Sequence, residues 1–212
     1  MYSALLVIIY LAFISLGLPD TLLGSAWPQM HIELNASLSS AGIITMIISL
    51  GTVISSLFSD RLNIKLGTGK VTAISVLMTA VALIGFSLSH SFIILCVLAV
   101  PYGLGAGAVD AALNNYVALH YSSKHMSWLH CFWGVGASIG PYIIGTCMAH
   151  DLGWRGGYSV ISVLQFTLTV ALFITLPLWK KVENSENNVS NGNNESTQEE
   201  PRQKDFWDIY EL

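Results

Sequence analysis

Six long apolar runs, at residues 3–26, 38–58, 71–89, 92–118, 127–149 and 157–179, alternate with short polar connections. Each has the roughly 18 or more residues that a helix needs to cross a hydrocarbon core of about 30 Å. Lipid satisfies no backbone polar group, so each run is predicted to be a transmembrane helix. The pattern changes after Pro177: residues 180–204 are rich in Asn, Ser, Glu and Gln and have almost nothing to bury. That stretch is predicted to be a disordered cytoplasmic linker. Residues 205–212, DFWDIYEL, turn amphipathic again, like the lead-in to a structure that the sequence does not go on to make. The expected organisation is a six-span helical bundle over 1–179, the linker, and that amphipathic end.

Composition fits an all-α membrane protein: 53% of the 212 residues are hydrophobic and only 10% charged, and the mean hydropathy is +0.59. Such a chain belongs to the multi-spanning class. Of the nine Lys and Arg, eight (Arg61, Lys65, Lys70, Lys124, Lys180, Lys181, Arg202 and Lys204) fall on one side of the alternating spans, and Arg155 on the other. Cytoplasmic loops carry the excess of Lys and Arg, which predicts both termini in the cytoplasm and a multi-pass protein of the plasma membrane. The net charge of −4 comes mostly from the Glu-rich tail, and no basic stripe points to nucleic acid. The first run lacks a positively charged lead and a small-residue cleavage site, so it is expected to stay as an anchor. Cys96, Cys131 and Cys147 lie inside spans without metal-ligand spacing and read as packing residues. No metal or other cofactor is expected. Of the sequons, only that at Asn35 would face outside.

Against this background two carboxylates stand out, Asp20 in the first span and Asp110 in the fourth, each alone in an apolar run. An ionisable side chain costs a few kcal/mol or more in hydrocarbon and normally faces a polar cavity or a partner, where it handles ions, protons or substrate. The competing reading is a structural hydrogen bond to a neighbouring helix. Six spans divide into two sets of three, and an inverted 3+3 repeat would make span 4 the counterpart of span 1. Each acid lies about eighteen residues into its helix, past mid-membrane at ~1.5 Å per residue and displaced in opposite directions. Phe13, Gly17, Asp20, Gly24 and Trp27 share a face at helical spacing, as do Gly103, Gly107, Asp110, Asn114 and Val117. Pro19 removes a backbone donor and is expected to kink span 1, freeing a carbonyl near the acid.

The stretches GLPDTLLGSAWPQM, GLGAGAVDAALNNYV and SWLHCFWGVGASIGP resemble the amino-terminal half of the major facilitator superfamily, in its fucose-permease-like branch of sugar:cation symporters. The resemblance covers roughly residues 3–180. It implies half of a twelve-helix fold, with solute held between two halves. In that branch an acid in span 1 and another in span 4, followed by asparagine, are associated with proton coupling and sugar binding; by resemblance these roles fall on Asp20, Asp110 and Asn114 or Asn115. Either H+ or Na+ would serve as the coupling ion. The bend DRLNIKLGTGK is similar to the superfamily's Gly-x-x-x-Asp-Arg loop, with Asp60 and Arg61 in place but Ser56 and Asn63 at the positions of its glycines. Gly153, Trp154 and Arg155 add a further similarity. The resembled fold would need a carboxy-terminal half or a second copy, so the chain is expected to be a truncated product or a half that pairs.

Other residues fit the same expectation. His130 would donate to a sugar hydroxyl or relay a proton, as an imidazole can, or would sit at the interface, being only about a turn inside the cytoplasmic end of span 5. Trp27, Trp128 and Trp133 read first as aromatic-belt anchors; Trp133, one turn from His130, is the best placed to stack on a sugar. Asn114 and Asn115 diverge by about 100° around the helix, and Asn114 is the one a turn from Asp110. Asp60 and Arg61 read as a clasp at the bend. Two other classes compete. Gly136-Ala137-Ser138-Ile139-Gly140 spells the Gly-x-Ser-x-Gly of serine hydrolases, and rhomboid proteases also have six spans. However, the sixth span has no histidine, and His130 lies about 12 Å from Ser138 along one helix, too far to be its base. Those glycines are better explained by close helix packing. A channel lacks an Asn-Pro-Ala repeat, a Gly-Tyr-Gly filter or a ring of charge. A membrane scaffold without transport is the remaining alternative.

Overall fold

The computed structural model describes the backbone of residues 2–195 and the side chains of residues 5–179. Its α-helices are α1 (Tyr2–Asp20), α2 (Leu22–Glu33), α3 (Ala41–Leu66), α4 (Thr68–Leu88), α5 (Phe92–His120), α6 (Ser123–Ala149) and α7 (Gly153–Glu195), with a 3-10 turn at Leu38–Ser40. Among the described residues six stretches are long and apolar enough to cross a membrane, the first formed by α1 and α2 together. Spans 1 to 6 are therefore α1/α2, α3, α4, α5, α6 and α7. The protein is a multi-pass, all-helical bundle.

Span 1 is helical to Glu33 and is interrupted at Thr21, two residues beyond Pro19. Proline has no N–H, so the carbonyl of Ser15, four residues earlier, has no helical partner. Gln165 of α7 supplies one: its Nε2 donates to the Ser15 carbonyl at 2.7 Å, and the Ser15 hydroxyl donates back to Gln165 Oε1 at 2.6 Å. Ser15 and Gln165 are both buried. Pro19 does free a carbonyl, as expected. It is Ser15's carbonyl, and span 6 has taken it.

Span 2 also runs further than its apolar stretch. Residues 60–66 of the DRLNIKLGTGK segment are helical, and the bend is confined to Gly67, at φ +82°, where a residue with a Cβ would be strained. At the other end, α7 continues to Glu195 although the composition from residue 180 predicts an unstructured linker. Nothing after Pro177 in that stretch forbids helix before Pro201. The remainder of the linker and the DFWDIYEL end lie outside the described residues.

The three most extensive helix pairings follow an exchange symmetry. The most extensive packing is α3 along α5 and α1 along α6. Exchanging spans 1–3 with spans 4–6 turns one of these pairs into the other. The third members of the two triplets, α4 and α7, pack on each other with comparable extent. This is the pattern of a 3+3 inverted repeat.

Small residues make both close pairings possible. Buried positions on α3 include Gly51, Ser55 and Ser59 at four-residue spacing, and on α6 Gly136 and Gly140. In lipid the helices gain little from the hydrophobic effect on associating, so such stripes act by letting backbones approach. A Cβ on Gly103 would meet the backbone of Ile48, and one on Gly136 the backbone of Ile14. The larger side chains fill two apolar cores at opposite ends of the bundle. One is built around Trp27, Phe86, Tyr102, Trp154 and Tyr158. The other contains Phe13, Tyr116, Leu129 and Trp179.

Candidate functional site

One cavity of about 620 Å³ is lined by spans 1, 2, 4 and 5, the members of the two close pairings that the exchange interconverts, and by neither span 3 nor span 6. Span 1 contributes Phe13, Leu16 and Asp20; span 4 contributes Ala106, Gly107 and Asp110. Span 2 adds the hydroxyls of Thr52 and Ser56, and span 5 adds His130 and Trp133. The two acids thus share a cavity.

Their settings mirror one another. Gly17 stands one turn before Asp20, and an added Cβ there would meet the carbonyl of Trp133 and the backbone of Ala137 on span 5. Gly107 stands one turn before Asp110, and a Cβ there would meet the backbone of Thr52 on span 2. In each half a glycine draws the acidic helix onto its partner and brings the carboxylate level with that partner's polar groups.

Hydrogen bonding differs between the two acids. Trp133 Nε1–H donates to Asp20 Oδ2 at 2.9 Å, and the Tyr102 hydroxyl donates to Asp20 Oδ1 at 3.3 Å. Two other helices therefore hold Asp20. Asp110 accepts from Asn114 Nδ2 on its own helix at 3.1 Å, and His130 lines the same cavity. The His130 ring meets Phe13 edge-on, with centroids 6.0 Å apart. Ser56 donates to the Gly107 carbonyl at 3.3 Å as well as to that of Thr52. The serine at the motif's glycine position thereby ties span 2 to the acidic helix.

Of the residues singled out in the sequence, Asp20, Asp110, His130 and Trp133 converge on the cavity, with Asn114 bonded to one of them. Asn115 does not join them; it is exposed on another face of α5. Trp27 is 3% exposed in the apolar core, and its Nε1–H donates to the Leu38 carbonyl at 2.8 Å. The helical face read through Asp20 and Gly24 does not carry Trp27 to the cavity, because this ring turns inward to close the connection to span 2. Asp60 and Arg61 are exposed on helical α3 beyond the cavity, not on a bend. Ser138 donates to the Gly134 carbonyl at 2.8 Å, while Gly136 and Gly140 lie against span 1, which fits the packing explanation of Gly-x-Ser-x-Gly.

Contributors missed in the sequence include Thr52, Tyr102 and Gln165. Gln165 carried a usable signal: a buried amide in an apolar span must find partners, just as an acid must. Tyr102 carried none, since a tyrosine in such a span is ordinary packing material until its hydroxyl is located.

A cavity of this size suits a small ligand, and its few converging polar groups among apolar walls are the usual makeup of a binding site. Among the described residues no group of three His, Cys, Asp or Glu side chains could hold a metal ion. Several known proteins are similar to this chain over most of its length. A Sinorhizobium fredii protein described as an uncharacterized transporter is 26% identical over 151 residues, 70% of this chain and 36% of that protein. The quinolone resistance protein NorA of Staphylococcus aureus is 26% identical over 170 residues, 77% of this chain and 42% of its own. Synaptic vesicle glycoprotein 2B of Rattus norvegicus is 25% identical over 157 residues, 72% of this chain and 22% of its own. The chain spans less than half the length of each of these relatives. Residues 9–207 match the Major Facilitator Superfamily; with six spans related by exchange and a cavity between spans 1, 2, 4 and 5, the chain belongs to that transporter family.

Proposed function

We propose that the chain takes part in secondary active transport of a small polar solute, a sugar by its resemblance to the fucose-permease-like branch, coupled to a gradient of H+ or Na+. The observation that carries this reading is that Asp20 and Asp110 line one cavity. Both termini lie in the cytoplasm and the protein sits in the plasma membrane. The exposed faces of spans 2 and 5 meet a second half, supplied by a carboxy-terminal half or another copy of this chain.

An ionised carboxylate resists passage of its cavity through a low-dielectric barrier, whereas a neutralised one does not. In the proposed cycle a cation neutralises Asp110 or Asp20 while solute is bound, which lowers the cost of reorienting the loaded cavity through the membrane. Asn114 holds Asp110 through its Nδ2, Trp133 offers an aromatic face, and His130, Thr52 and Ser56 offer hydrogen bonds to hydroxyl groups. Lipid is the only other partner, and nucleic acid is none. The relative named for quinolone resistance raises an aromatic solute as a second reading. The acids and hydroxyls brought together here favour the polar one.

Purified protein in sealed vesicles tests the proposal. Imposed H+ or Na+ gradients should drive saturable uptake of one sugar from a panel. Uptake that is indifferent to both gradients, or passive leak without saturation, would rule out coupled transport. A non-transporting scaffold would give no uptake at all.

A further inference from the structure

Asp20 borders two cavities at once. Besides the large one, a second cavity of about 130 Å³ includes Asp20, Gly24, Thr45, Phe86, Tyr102 and Tyr158 in its walls. It lies on the opposite side of the acid. The large cavity is bounded by Phe13 and His130, towards the end of the bundle that holds the chain's start. The small one is bounded by the beginning of α3, α5 and α7 and the end of α4, towards the far end. The carboxylate divides its bonding between them: Oδ2 accepts from Trp133, a wall of the large cavity, and Oδ1 accepts from Tyr102, a wall of the small one.

We infer that the small cavity is a hydrated vestibule through which a proton or Na+ reaches Asp20 from the far side of the membrane, separately from the solute cavity. At about 30 Å³ per molecule in the liquid, 130 Å³ has room for about four waters. The Tyr102 hydroxyl and the Asp20 carboxylate give those waters the polar partners they need. Gly24 and Thr45 are exposed and form the mouth, and nothing stands within 4 Å of a Cβ placed on Gly24. Phe86 and Tyr158, 2% and 1% exposed, close the vestibule towards spans 3 and 6. The inference rests on Asp20 acting as a coupling acid, and it adds the side from which the cation comes.

The test needs no solute. The full chain, with Cys96, Cys131 and Cys147 replaced by alanine, is placed in sealed vesicles and Gly24→Cys is introduced. A charged, impermeant thiol reagent added at the face away from the amino terminus should modify it, while Val81→Cys on the outer face of α4 stays unmodified. Asp20 is then probed with a lipid-soluble carbodiimide, which labels protonated carboxyl groups. Raising the pH on the far side, or adding Na+ there at fixed pH, should abolish labelling of Asp20. Loss with pH alone identifies the proton, and loss with Na+ identifies sodium. Prior modification of the thiol introduced at position 24 should remove the response. The vestibule is overturned if that thiol is as inert as the one introduced at position 81, if labelling follows only the near-side solution, or if blocking position 24 changes nothing. None of these outcomes depends on solute uptake, so the vestibule and the transport reading fail separately.

Discussion

Gln165 takes the hydrogen bond that Pro19 leaves unmade. Its amide donates to the Ser15 carbonyl at 2.7 Å, the carbonyl that a non-proline residue at 19 would have bonded within the helix. Span 6 thereby braces span 1 just before its interruption at Thr21. Gln165→Leu orphans a buried carbonyl and is expected to destabilise the protein by about 1–3 kcal/mol. Pro19→Ala should be less harmful in the Gln165→Leu background than in the parent, because an N–H at 19 can then bond Ser15. Thermal unfolding of the four proteins in detergent gives the coupling, expected at about 0.5–2 kcal/mol; strict additivity would mean that the two residues do not share this carbonyl.

The two close helix pairings should be equally intolerant of bulk. Gly17→Ala and Gly107→Ala each place a Cβ against partner backbone, which cannot yield as a side-chain tip can. Each is expected to lose about 1–3 kcal/mol in thermal unfolding. Gly24→Ala and Gly134→Ala, with nothing within 4 Å of the added Cβ, should be neutral or gain up to about 1 kcal/mol from helix propensity. Equal losses at all four sites would remove the distinction between paired and open glycines.

The two tryptophans should separate function from stability. Trp27→Phe deletes the indole N–H that bonds the Leu38 carbonyl in the core, so it is expected to lower Tm and leave the KM of uptake unchanged. Trp133→Phe keeps an aromatic ring at the cavity but removes the donor to Asp20. It should alter ion-coupled uptake while Tm stays close to the parent's. The reverse assignment of effects would mean that Trp27, not Trp133, serves the site.

At the far end, Arg155 donates to Glu33 and to the Ser89 carbonyl and lies over the Trp154 ring at 4.2 Å. The ion pair is about one-third exposed on each side chain, so Glu33→Gln is expected to cost no more than about 1 kcal/mol and to be masked by salt. Arg155→Ala also removes the carbonyl bond and the ring contact, and should cost clearly more in the same melting assay. Equal effects would reduce Arg155 to its ion pair.

Much of this was legible in the sequence because lipid imposes simple rules. Apolar runs of sufficient length located all six spans, and the rule that a lone acid must face something polar marked Asp20 and Asp110 from the chain alone. Periodicity was less informative about side-chain direction. It gave Trp27 the same face as Asp20, yet the indole turns inward to the Leu38 carbonyl. The bend after span 2 was placed too early, because the polar residues of DRLNIKLGTGK suit a helix emerging from lipid as well as a loop, and Gly67 alone turns. The partner of Pro19 lies across the 150 residues that separate Ser15 from Gln165, and no local pattern encodes a contact at that separation.

Coupling of a cation to solute movement is proposed for the two acids of one cavity. Its most direct measurement is accumulation of a transported solute in vesicles under an imposed H+ or Na+ gradient, by the chain together with whatever half completes it, for the parent, Asp20→Asn and Asp110→Asn. Both variants should lose uphill accumulation, with downhill exchange surviving in at least one. Accumulation at the parent's level in both variants would contradict the account.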